Sequence, residues 1–118
     1  MALPVSAPFH CPLMQPAADA MAEALDKTPP GPLRVPLFAN VTAAMTSDPE
    51  DVRRLLVEQV TGRVRWRESA IAMKDAGVEN FVELGGKVLG PMIKRSAEDV
   101  SVASVVTMDD VEALAKEL

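Results

Sequence analysis

Apolar residues recur at alternating spacings of four and three through Met14, Ala18, Met21 and Leu25, which predicts one face of a helix ending near Lys27. Pro12 and Pro16 flank its start, where a missing N–H does little harm. Ahead of it Leu3 to Ala7 reads as a short extended segment, because Pro4 and Pro8 forbid helix there. Thr28-Pro29-Pro30-Gly31-Pro32 is a stiff connector. Val35 to Val41 predicts a buried strand, with Pro36 placing it at an edge or making it begin just after the proline. A second helix is signalled by a capping box of Ser47 and Glu50, with Pro49 in its first turn. Its apolar face is Val52, Leu55, Leu56 and Val60, and Gly62 ends it.

The pattern continues with a helix from about Trp66 to Ala76, turning Trp66, Ala70 and Met73 inward and stopped by Gly77. Val78 to Leu84 has a strand's composition, Gly85-Gly86-Lys87 a turn's, and Pro91 fits the first turn of a helix to about Ala97. Val102 to Val106 predicts another strand. Thr107 with Asp110 caps a last helix whose inward face is Val111, Leu114, Ala115 and Leu118. Strands alternating with helices indicate an α/β layered domain with a largely parallel sheet. Three or so strands are few for an independent sheet of that kind, and the abrupt start at Met1-Ala2-Leu3-Pro4 points the same way: part of something larger.

Composition narrows the function classes. The 118 residues carry a formal charge of −5, so the clustered Lys/Arg that a nucleic-acid surface needs are not expected, the short basic run at 63–67 reading as a solvated helix start. One cysteine, Cys11, excludes an internal disulfide. No apolar run approaches a membrane span, and no signal-peptide pattern opens the chain, so the expected location is cytoplasmic. Seven methionines and many alanines and valines must fill a core short of aromatics.

Candidate chemistry is sparse. His10 is the only histidine and lies in Ser6-Ala7-Pro8-Phe9-His10-Cys11-Pro12-Leu13-Met14, at a strand-to-helix junction where α/β folds place functional groups. A histidine that merely caps a turn is the other reading. Gln59 falls on the otherwise aliphatic face of the second helix, where a buried amide needs partners; a glutamine at the rim of the core is the plainer reading. Adjacent residues point in different directions, so Cys11 reads as a small buried hydrophobe rather than a nucleophile paired with His10. Gly85-Gly86-Lys87-Val88-Leu89-Gly90 lacks the GxxxxGK[ST] pattern of a phosphate loop. One histidine and one cysteine fall short of a metal-ligand set, so no metal is expected. None of the six serines lies in a G-x-S-x-G elbow, which leaves no self-sufficient serine catalyst.

The run LPVSAPFHCPLMQPAADAM (3–21) is similar to the histidine segment of bacterial malonyl-CoA:acyl-carrier-protein transacylases of fatty-acid synthesis. The similarity continues through PLFANVTA (36–43), VEQVTGRVRW (57–66) and VELGGKVLGPMIKR (82–95). Many members carry Gly-Pro-Gly-Lys where this chain has only Gly85-Gly86-Lys87, so that turn is one residue short. The resemblance implies the C-terminal part of a hydrolase-like three-layer α/β domain with a mostly parallel sheet. Residues 1–10 would end a small ferredoxin-like subdomain and form the histidine loop, and 11–118 would complete the large domain.

It further implies transfer of malonyl from coenzyme A, through a serine ester, to the phosphopantetheine thiol of acyl carrier protein, with no cofactor beyond the coenzyme A thioester. His10 aligns with the catalytic histidine, a general base toward serine and thiol. Gln59 aligns with the glutamine whose main-chain carbonyl orients that histidine, the part an aspartate plays in triads. Phe9 precedes the histidine, where phenylalanine is typical of malonyl preference over methylmalonyl. The nucleophilic serine, the arginine for the malonyl carboxylate and the oxyanion-hole glutamine belong upstream and are absent. The expected object is therefore a fragment, inactive alone, whose partners are malonyl-CoA, acyl carrier protein and the upstream part of the enzyme, with no nucleic acid and no membrane. A non-catalytic carrier-protein-binding module and a megasynthase domain are the alternatives; the close of the chain after a well-formed helix favours a stand-alone enzyme over the latter.

Overall fold

The computed structural model describes residues 8–117, so the extended segment at Leu3–Ala7 and the helix position of Leu118 lie outside the described residues. Two compact units divide the chain, the first running to Ser69 and the second from Ala70.

In the first unit a 3-10 turn at Pro12–Met14 leads into helix α1 (Gln15–Lys27). Ala18 is buried, and α1 packs chiefly against helix α2 (Pro49–Thr61). That single neighbour covers only a narrow stripe of α1, so Met21, expected inward, stays exposed. The strand expected at Val35–Val41 is shorter than its pattern: β1 is Leu37–Phe38, paired antiparallel with β2 (Met45–Thr46), Leu37 opposite Thr46. Val35 is exposed and Ala39 buried. The chain folds back at once, with Ala43 N–H donating to Ala39 O at 2.8 Å and Ala43 held at φ 54°. Such a reversal leaves no room for a longer ladder.

The cap of α2 is Asp48, not Ser47: its carboxylate accepts from Glu50 N–H at 3.0 Å. The reason is steric. Pro49 at the first helical position forces the residue before it out of the helical region, and the extended backbone of Asp48 (φ −84°, ψ 120°) is the N-cap conformation. Val52 and Leu55 are buried, Leu56 and Val60 half-buried, and the helix ends at Gly62 as its pattern indicates.

Helix α3 (Trp66–Asp75) carries the boundary between the units. Gly77, at φ 94°, closes it: Gly77 N–H donates to Lys74 O (2.8 Å) and Val78 N–H to Met73 O (3.0 Å), a Schellman arrangement. Beyond it β3 (Asn80–Leu84) and β4 (Ser101–Val105) pair in parallel, Phe81 beside Val102, joined through helix α4 (Leu89–Ser96). Phe81, Ile93, Ala97 and Val105 are buried in this unit. Among the described residues the parallel sheet has two strands, and the other strand pair is antiparallel.

The turn after β3 is held from within. Gly85 takes the left-handed φ of 86°, and its N–H donates to Val105 O at 2.8 Å. The Glu83 carboxylate then accepts from three N–H groups at the start of α4: Val88 (2.8 Å), Leu89 (3.0 Å) and Gly90 (2.8 Å). These bonds, Leu89's foremost, lower its pKa. Helix α5 (Met108–Glu117) opens with the expected box, Asp110 N–H donating to Thr107 Oγ1 at 3.2 Å and Asp110 Oδ2 accepting from Val106 and Thr107 N–H. Its expected inward face is only partly covered: Leu114 is half-buried, whereas Val111 and Ala115 are exposed. A two-stranded sheet offers α5 little beyond β4 to pack on.

Candidate active site

The C-terminal turn of an α-helix leaves its last four carbonyls without intrahelical donors. In α2 the Gly62 N–H takes Glu58 O at 2.9 Å, and the chain then leaves in an extended direction (φ −92°, ψ 156°). Gln59 is the next residue in that turn, and its carbonyl receives a side chain instead: His10 Nδ1 lies 2.7 Å from Gln59 O. A carbonyl oxygen only accepts, so Nδ1 carries the proton in this bond. The neutral ring then presents Nε2 with a free lone pair. The helix end also turns the negative pole of its dipole toward the ring, which suits an imidazolium formed in passing.

His10 reaches that carbonyl from an exposed loop in which its own backbone is left-handed, at φ 56°. Its neighbour Cys11 is half-exposed rather than buried, because its Sγ–H turns back to donate to Pro8 O at 3.0 Å. Phe9 stands beside His10 in the chain with 60 % of its surface exposed. His10 and Gln59 are thus brought together from 49 residues apart. Phe9 is adjacent by sequence alone.

The Gln59 side chain is half-buried and finds the partner its position demands. Asn40 Nδ2 donates to Gln59 Oε1 at 3.3 Å, and Asn40 O accepts from Arg65 N–H at 2.8 Å. Arg65 also donates from its guanidinium to Thr42 O at 3.0 Å, pinning the turn that carries Asn40. Asn40 carries no separate signal in the sequence beyond membership of the PLFANVTA block. Asn40 and Gln59 form the polar wall of a small cavity of about 130 Å³, otherwise lined by Leu37, Phe38, Val52 and Leu55 among others. A larger groove of about 530 Å³ along α1 and α2 is lined largely by charged side chains such as Asp26, Arg53 and Arg54, and contains none of these residues. Among the described residues no group of three or more His, Cys, Asp or Glu side chains could hold a metal ion. Nor is any described helix long and apolar enough to cross a membrane.

No protein-family model matches the chain. Known sequences and structures do. A malonyl CoA-acyl carrier protein transacylase of Bacillus subtilis is 35% identical over 93% of this chain, which spans 35% of that protein. The solved acyl-carrier-protein S-malonyltransferase of Bartonella henselae is 47% identical over 98% of the chain and 37% of its own length, with a TM-score of 0.87. A malonyl-transacylase solved in complex with its type II polyketide acyl-carrier protein is 33% identical, with a TM-score of 0.86 over 98% of this chain and 38% of its own. The chain is therefore homologous, over nearly its whole length, to the C-terminal part of the malonyl CoA-acyl carrier protein transacylases, and spans a little over a third of them.

Proposed function

We propose that this chain supplies the histidine half of a malonyl-transferring active site, in which His10 Nε2 takes the proton of an upstream serine as that serine accepts malonyl from coenzyme A. The single observation that carries this reading is the 2.7 Å bond from His10 Nδ1 to Gln59 O, in a chain homologous to transacylases. The bond fixes both the tautomer and the ring orientation a base needs, and it does so with a main-chain carbonyl that stays uncharged. Nε2 then hands that proton to the departing coenzyme A thiolate, which restores the neutral base. In the second half-reaction the same nitrogen takes the proton of the carrier protein's thiol as that thiol attacks the serine ester, and returns it to the departing serine oxygen. His10 and Gln59 are the proposed catalytic pair. Phe9 is proposed to face the acyl group, and malonyl-CoA and acyl carrier protein are the proposed partners. No G-x-S-x-G serine occurs in the 118 residues, so the serine must come from elsewhere.

The test is a comparison of two proteins with malonyl-CoA and acyl carrier protein. The isolated chain is expected to release no coenzyme A. A chimera in which this chain replaces the corresponding part of the Bartonella henselae enzyme is expected to transfer malonyl. Turnover by the isolated chain, or a folded chimera without transfer, contradicts the reading.

A further inference from the structure

We propose that the Cys11 thiol is a positioning residue for His10, acting as a donor that holds the histidine loop closed. The proposal rests on the reading of His10 as the base, and it adds how that base is kept in place. Three observations meet at this loop. His10 has a left-handed backbone, at φ 56°, a conformation that a residue with a side chain adopts only at an energetic cost. Cys11 Sγ donates to Pro8 O at 3.0 Å and so bridges the two residues flanking Phe9 and His10. On the far side, Cys11 is extended (φ −145°, ψ 169°) and its carbonyl accepts from Met14 N–H at 3.0 Å, which ties it to the 3-10 turn.

The loop is thus fastened at one end by backbone and at the other by the thiol. Among the described residues from Pro8 to Cys11, the thiol bond and the His10–Gln59 bond are the two side-chain hydrogen bonds. Removing the thiol's donor frees the left-handed residue to relax toward ordinary backbone angles, and the ring leaves the Gln59 carbonyl. No ligand or redox chemistry is assigned to Cys11. A hydroxyl donates where a thiol does, so serine is the conservative replacement and alanine the disruptive one.

His10 is the only histidine, so its ring nitrogens give one set of 15N signals and report the tautomer directly. In the native chain and in Cys11→Ser the Nδ1–H tautomer is expected to dominate. In Cys11→Ala the ratio of Nδ1–H to Nε2–H is expected to fall about two- to fivefold, the scale of one weak S–H···O bond. Methylthiolation of Cys11 in the already folded native chain, which replaces S–H by S–S–CH3, covers the case where Cys11→Ala does not fold; the fall should appear and reverse on reduction. An unchanged ratio in either form, or a helix signal lost together with the tautomer, overturns the proposal. Neither outcome touches the catalytic role of His10, which is read separately from the activity of His10→Ala.

Discussion

His10 Nδ1 and the main-chain oxygen of Gln59 are 2.7 Å apart, and the oxygen is one that its own helix leaves without a donor. An uninterrupted α2 would have given Gln59 O the N–H of residue 63. Because Gly62 is extended, that N–H is carried away and the histidine takes its place.

This arrangement makes the Arg63 N–H dispensable. Arg63→Pro removes it, and the extended Gly62 already has the backbone that a following proline requires. The side chain is mostly exposed, and its contact with Glu68 is a long surface ion pair at 3.6 Å. The expected change in unfolding free energy lies between zero and a gain of about 1 kcal/mol. Denaturant unfolding checks it, and a loss beyond about 2 kcal/mol contradicts the account of how α2 ends.

The start of α2 gives a sharper pair. Asp48→Ala removes the carboxylate that accepts from Glu50 N–H and should cost about 1 kcal/mol, whereas Ser47→Ala should change stability by less than about 0.5 kcal/mol. Comparison of the two melting curves decides between the caps.

Acid should act on the turn into α4. The Glu83 carboxylate is held below its ordinary pKa by N–H bonds from Leu89, Gly90 and Val88. A depressed folded-state pKa contributes stability that is present above the unfolded value, near 4.3, and is lost as pH falls through the folded one. Melting temperature should therefore drop as pH is lowered below about 4, and Glu83→Gln should flatten that drop while lowering stability at pH 7. Asp110, depressed by bonds from Thr107 and Val106, contributes with the same sign, so part of the slope should survive in Glu83→Gln. A pH profile identical in the variant and the native chain would remove Glu83 from this role.

What the sequence made legible tracks what is local. Helix spans, the stop at Gly62, the Gly77 closure and the Thr107–Asp110 box all depend on a few neighbouring residues, and each lies within a residue or two of its pattern. Strand pairing does not. The Met45–Thr46 strand is two residues long and has no periodicity to find, and the Val35–Val41 run is cut short by a turn over residues 40–42, closed by Ala43 N–H on Ala39 O, that β propensity does not reveal. Asp48 was hidden behind Ser47 because both are good caps, and only the conformational demand of Pro49 separates them. Glu83 gave no signal at all, since its donors arrive from five to seven residues downstream through a glycine turn. The pairing of His10 with Gln59 could be anticipated only from the resemblance. No local pattern links residues 49 positions apart, and the bond runs to a main-chain atom that no side-chain identity encodes.

The most direct measurement is the rate of coenzyme A release from malonyl-CoA by the chimera bearing this chain, with His10 intact and with His10→Ala. General-base catalysis by a positioned imidazole contributes about 10²- to 10⁴-fold, so the alanine variant should be slower by that factor while remaining folded. A folded His10→Ala chimera that releases coenzyme A at the native rate would contradict the assignment of His10 as the base.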